Sequence, residues 1–125
     1  MTTDSTVSVP AQDTTVSVPA QGLGSNRTFG QQLDKVTFGF ATVGASNTPG
    51  LRFTITGLSL TTATPTVVLV QPRQSDNQDH GFSDEFAVQV ISTTQNQITG
   101  RVQRLDNPNS GWGQNLRLDF LIIVL

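Results

Sequence analysis

The segment RLDNPNSGWGQNLRLDF, residues 104–120, holds the only tryptophan of the chain, Trp112, between Gly111 and Gly113. Flanking glycines remove side-chain cover and permit unusual backbone angles, which leaves one indole face open. Arg104, Asp106, Asn109 and Gln114 stand close by in the sequence. An exposed aromatic face beside planar polar groups is the chemistry of sugar binding: the CH groups of a pyranose pack on the ring while guanidinium, carboxylate and amide groups bond the hydroxyls. Trp112, Arg104, Asp106 and Gln114 are therefore the candidate carbohydrate-binding residues. Two blander placements stay open at this level. In the first, Trp112 folds back to plug the end of the sandwich or fills a subunit interface. Arg104 and Asp106, two apart on one strand face, would then form a surface ion pair worth less than about 1 kcal/mol.

A second cluster lies in SDNQDHGFSDE, where the single histidine, His80, has Asp76, Asp79, Asp84 and Glu85 around it. Hard oxygen ligands at this density suggest Ca²⁺, but the spacing lacks the order of a known calcium loop, and a solvated acidic loop between strands is the simpler expectation. Ser75 or Ser83 with His80 and an aspartate makes a nucleophilic triad only on paper, because no glycine elbow presents either serine. Nothing pairs an activated nucleophile with a base, so no enzymatic activity, metal or cofactor is expected. GLGSNR lacks the third glycine and the helix of a dinucleotide loop. Cysteine is absent, which excludes disulfides, thiolate catalysis and cysteine-based zinc sites.

The surface implied by the composition is neutral. The 125 residues carry 7 Lys+Arg against 9 Asp+Glu, and the charged fraction is 13%. Such a balance supplies no basic field for phosphates or anionic membranes, so neither nucleic acid nor membrane insertion is expected. The stretch MTTDSTVSVP has no basic n-region and no apolar h-region, so no secretory signal is read there. Localisation stays open between a virion and an extracellular site reached by a non-classical route.

The elements that must hold these residues are strands. Val36, Phe38 and Phe40 alternate with Thr37, Gly39 and Ala41, and Leu51, Phe53 and Ile55 with Arg52, Thr54 and Thr56. TVVLV at 66–70 is continuous enough for a strand buried on both faces. Phe86, Val88 and Val90 form the next inward set, followed by Ile98 and Val102. In LRLDFLIIVL the even positions from Leu116 to Val124 share one face, while Leu121, Ile123 and Leu125 make the other apolar too. A strand of that kind must run mid-sheet under cover, or against another chain. About six strands separated by GASNTPG, TTQN and DNPNSG predict an all-β, antiparallel sandwich or barrel.

Ahead of this body, Asp4–Gln12 reads DSTVSVPAQ and Asp13–Gln21 reads DTTVSVPAQ. Two copies are too few for a solenoid. Each joins a β-prone TVSV to a Pro-led breaker. The predicted organisation is an extended N-terminal arm over residues 1–24, docking on a neighbouring subunit through residues 4–21, and a sandwich domain over 25–125.

From about residue 36 to residue 125 the order of segments resembles the H-type lectin family, known from snail agglutinins and discoidin H-type domains. The likeness runs through VTFGF, the run Pro65-Thr66-Val67-Val68, the strands EFAVQVIS and QITGRVQRLD joined by TTQN, and the closing NLRLDFLII, with Phe120 at the family's aromatic position. The resemblance implies a six-stranded antiparallel β-sandwich, assembled as a trimer or a pair of trimers, with a sugar site between protomers that favours N-acetylgalactosamine-type glycans. Where family members place an arginine at the start of the strand matching EFAVQVIS, this chain has Glu85 and Phe86; at the end of QITGRVQRLD it has Leu105 and Asp106. Trp112 and Arg104 would take over those contacts. The expected function is thus a non-enzymatic, homo-oligomeric, lectin-like module for recognition or adhesion. The alternative is a structural component of a virion or other large assembly (decoration, spike or tail protein) that uses the sandwich as a building block and the arm for docking.

Overall fold

The computed structural model describes residues 15–26, 35–60 and 67–124, and the regular elements among them are all strands. In chain order they are β1 (Thr15–Pro19), β2 (Gln21–Asn26), β3 (Lys35–Ser46), β4 (Gly50–Thr56), β5 (Val67–Gln74), β6 (Phe86–Thr93), β7 (Ile98–Arg104) and β8 (Trp112–Val124). They build two four-stranded sheets, β1-β4-β7-β6 and β2-β3-β8-β5. The inner faces of both sheets supply one continuous core around Phe53, Ile55, Ile98, Leu116, Leu118 and Ile122. The all-β sandwich expected from the sequence is present, but the described residues alone form eight strands rather than six.

The extra strands come from the second repeat and the residues after it. β1 is its TVSVP, and it lies parallel to β4 with Val16 opposite Phe53 and Val18 opposite Ile55. Val18 enters the core and Val16 packs against it, because alternation with Thr15 and Ser17 gives the segment one apolar face. The Ala20 N–H donates to the Thr56 carbonyl at 2.7 Å, and the chain then crosses to the other sheet as β2. This half of the expected arm therefore docks on its own chain, and residues ahead of position 25 already belong to the sheets. The first repeat, residues 4–12, lies outside the described residues. The β1–β4 pairing is also the one parallel pair among the described strands; the other pairs are antiparallel.

In β3 the buried face is the one with the smaller side chains. Thr37 and Ala41 are buried, whereas Phe38 is 46% exposed. The volume on β8 decides this. Gly39 pairs with Phe120, and a Cβ on Gly39 would sit 2.9 Å from Phe120 Cζ, so the small residues of β3 must face inward to admit the large ones of β8. The displaced Phe38 and Phe40 rings lie over Gly24 and Gly22 of β2 on the outer face, the cover that aromatic side chains give to edge glycines. β8 runs mid-sheet between β3 and β5, as its two apolar faces require. The run 66–70 does not match the expectation of two-sided burial. β5 is an edge strand, with Val68 and Val70 packed against the core while Val67 and Leu69 are exposed on the outer face.

Gly100 on β7 shows how tightly the first sheet closes. A methyl group there would come within 2.5 Å of both the Gln89 carbonyl oxygen and Phe53 Cζ, so β6 and the central core ring would both have to move. Gly100→Ala is expected to destabilise the fold by about 1–3 kcal/mol, read as a lower urea midpoint at unchanged slope.

The two ends of the sandwich differ. At one end Leu58 and Leu60 are buried and donate backbone hydrogen bonds to Asn96 and Gln95 of the β6–β7 turn, each at 3.0 Å. That end is sealed. The other end gathers the loops 75–85, 47–49 and 105–111, and the polar groups singled out in the sequence lie there.

Candidate functional site

Arg104, the last residue of β7, is the organising cation of that end. Its Nε and Nη2 donate to the two oxygens of Asp106, each at 3.0 Å, and Nη2 also donates to Asp84 Oδ1 at 2.9 Å. Nη1 donates to the Gly111 carbonyl. Asp84 uses its second oxygen to accept from Gln114 Nε2 at 2.9 Å, and Asp106 Oδ1 accepts the Glu85 backbone N–H at 2.9 Å. The side chains of Arg104 and Asp84 are only 14% and 10% exposed, so this is no loose surface pair. It ties β7, the start of β8, the 105–111 loop and the end of the 75–85 loop into one unit.

Of the four residues proposed from the sequence, the structure links Arg104, Asp106 and Gln114 through Asp84, and sets Trp112 apart. Trp112 is 3% exposed. Its Nε1–H donates to the Gly44 carbonyl at 2.7 Å, and its ring meets Phe86 edge to face, with centroids 5.1 Å apart. A buried indole offers no face to a ligand, so the stacking platform expected at Trp112 is corrected: Gly111 beside it lets the chain close on the β3–β4 turn instead. A Cβ on Gly111 would collide with the Ser46 carbonyl oxygen. Arg104 and Asp106 are committed to each other, which leaves Gln114 as the one residue of the four that lines a cleft.

That cleft, about 410 Å³, lies between the end of β5, the 75–85 loop and the start of β8. Gln74, Gln78, Asp79 and His80 give it polar walls, and Phe82, Phe86 and Leu116 give it apolar ones. Phe82 is 49% exposed and stands edge to face with His80, centroids 6.0 Å apart. Trp112 braces Phe86 from behind. The loop is shaped by its own carboxylates. Asp76 accepts from Gln74 Nε2 and the Gln78 N–H, each at 3.1 Å, and pairs with His80 Nε2 at 2.9 Å. Asp79 accepts the Gly81 N–H at 2.8 Å. Positive φ at Asn77 (59°) and Gly81 (74°) turns the chain at these points, where asparagine and glycine are the residues that tolerate it. Among the described residues no three acidic or histidine side chains converge on a common point; Asp76, Asp79 and Asp84 face different partners.

Sequence reasoning missed Phe82 as the open aromatic, although GFSD places it beside a glycine as GWG places Trp112. It also missed the bridging part of Asp84, for which no sequence signal exists: its partners lie 20 and 30 residues away.

The electrostatics predict an acid-sensitive end. The Arg104 guanidinium, then the Glu85 N–H, hold the Asp106 carboxyl at about 2 against an ordinary 3.8, and Asp106 raises the pKa of Arg104 in return. Hydrogen bonds from His80, Gln74 and Gln78 hold Asp76 at about 2 as well. A depressed carboxylate stabilises the fold above its unfolded pKa, and that contribution is lost as pH falls through the folded value. Stability is therefore expected to decline from about pH 4 to about pH 2 as these groups protonate. Asp106→Asn should be less stable than the wild type at neutral pH, with the two converging at the acid end in urea titrations.

No protein-family model matches this chain, and no curated protein or solved structure matches it.

Proposed function

We propose that this chain is a non-enzymatic carbohydrate-binding module that acts in several copies in recognition or adhesion, with its sugar site in the Phe82–Gln114 cleft. The observation that carries this reading is the half-exposed Phe82 ring beside a polar wall of Gln74, Gln78, Asp79, His80 and Gln114. A pyranose needs one apolar surface for its CH face and planar donors and acceptors around its rim. Gln114, 6% exposed, donates its amide N–H to Asp84 and forms the floor of the cleft. The volume falls within the roughly 300–1,000 Å³ of small-ligand sites. The near-neutral chain, with a formal charge of -2, suits a neutral hexose or an N-acetylhexosamine of the N-acetylgalactosamine type. Single sites of this size bind weakly, and repetition in a homo-oligomer such as a trimer or hexamer raises the effective affinity.

A glycan-array screen of the full chain tests the reading. Selective retention of glycans ending in neutral hexose or N-acetylhexosamine is expected; uniform absence of binding contradicts it. A structural part in a virion or other large assembly is the second reading, supported by the uncovered apolar face of the second sheet.

A further inference from the structure

The outer face of the β2-β3-β8-β5 sheet carries two apolar rows across three of its strands, β3, β8 and β5. Val36, Ile123 and Val67 stand opposite one another across β3, β8 and β5, and Phe38, Leu121 and Leu69 form the next row. Phe38 extends its row over Gly24 of β2. Phe38 is 46% exposed, Val67 37% and Leu69 55%. We infer that this face is where a second copy of the chain docks, sheet against sheet. The inference deepens the multivalency in the proposed function and rests on that part of it alone, since no sugar contact enters the argument.

Three observations select a second copy as the occupant. The first is area. β5 runs eight residues alongside β8 in a four-stranded sheet, which gives a projected footprint of about 27 by 19 Å from the usual rise and spacing, apolar along Val67 and Leu69 and polar along Gln71 and Arg73. With side-chain relief this is the scale of the ~800 Å² that each partner buries in a standard interface. The second is charge. The remaining ionic groups on this face neutralise one another: Arg117 Nε donates to Asp119 Oδ1 at 2.7 Å and covers the Phe40 ring at 3.7 Å, and Arg73 Nε lies 3.0 Å from Asp119 Oδ2, out of hydrogen-bonding alignment. They need no oppositely charged partner and form a polar rim beside the apolar rows. The third is self-complementarity. Two copies of one face, apolar at the Val67 and Leu69 rows, can stack about 10 Å apart as the sheets of a sandwich do, and a net charge of -2 per copy opposes this only weakly.

Native mass spectrometry and sedimentation of the full chain, without glycan, test the inference. The wild type is expected to be oligomeric at about 10 μM, and Leu69→Arg to weaken association by about tenfold or more, the loss that follows from burying an unpaired charge at an interface centre. Leu69 points away from the core, so the urea midpoint should hold. If Leu69→Arg nonetheless unfolds, Val67→Thr with Leu69→Thr keeps β-prone residues at both positions and should give the same shift in mass. A monomeric wild type up to about 100 μM, well above the micromolar range of specific association, overturns the inference, as does a variant with the wild-type mass. Binding of a monomeric wild type to neutral lipid vesicles overturns it in favour of a membrane surface. The sugar reading fails separately: a monomeric Leu69→Arg chain that still binds glycan through one site leaves it intact.

Discussion

Trp112→Ala should lower the unfolding free energy by about 3–5 kcal/mol, the range for truncating a large buried aromatic. The cost has three identifiable parts. The indole is 3% exposed in the core cluster, so its removal leaves a cavity between the sheets. Its Nε1–H satisfies the Gly44 carbonyl at 2.7 Å, at a point where Gly44 takes a φ of 84° and the β3–β8 register shifts. Its ring also braces Phe86 at 5.1 Å. Trp112→Phe keeps most of the volume and loses the donor, so a smaller penalty of about 1–3 kcal/mol is expected. Circular dichroism in urea reads both, since the substitution removes the only tryptophan. A Trp112→Ala chain with wild-type stability and no glycan binding would restore the indole to the ligand surface.

The second large effect belongs to Phe82. Its ring is half exposed and its ring contact is to His80, so Phe82→Ala should leave the unfolding free energy within about 0.5 kcal/mol of the wild type. Glycan affinity should fall by about tenfold or more, because the apolar surface for the CH face of the sugar goes with the ring; tenfold is about 1.4 kcal/mol, the scale of one aromatic contact. Trp112 and Phe82 thus separate support from contact. One substitution changes stability first, the other changes binding alone.

These residues also show what a sequence carries and what it withholds. Period-two alternation was enough to place Leu51, Phe53 and Ile55 and the even positions of β8 in the core, and two apolar faces were enough to put β8 mid-sheet. Alternation does not say which face is inward. In β3 the bulk of Phe120 and Leu118 on the facing strand turned Gly39 and Ala41 in and Phe38 out, a choice made by volumes distant in sequence. The second TVSVP carried the alternation of an edge strand, but its partner β4 lies more than thirty residues on, so it read as an arm. The candidate site was legible in part. Arg104, Asp106 and Gln114 do belong to one polar unit, while their link, Asp84, depends on contacts between loops. GWG and GFS have the same local form, and only tertiary packing decides that Trp112 is covered and Phe82 is open.

The most direct measurement is a titration of wild type, Phe82→Ala and Trp112→Phe with the best glycan from the array, at neutral pH and with all three shown to be folded. A sugar site in the cleft predicts that Phe82→Ala loses affinity by about tenfold or more while Trp112→Phe keeps it. Equal affinity of Phe82→Ala and wild type would contradict the account.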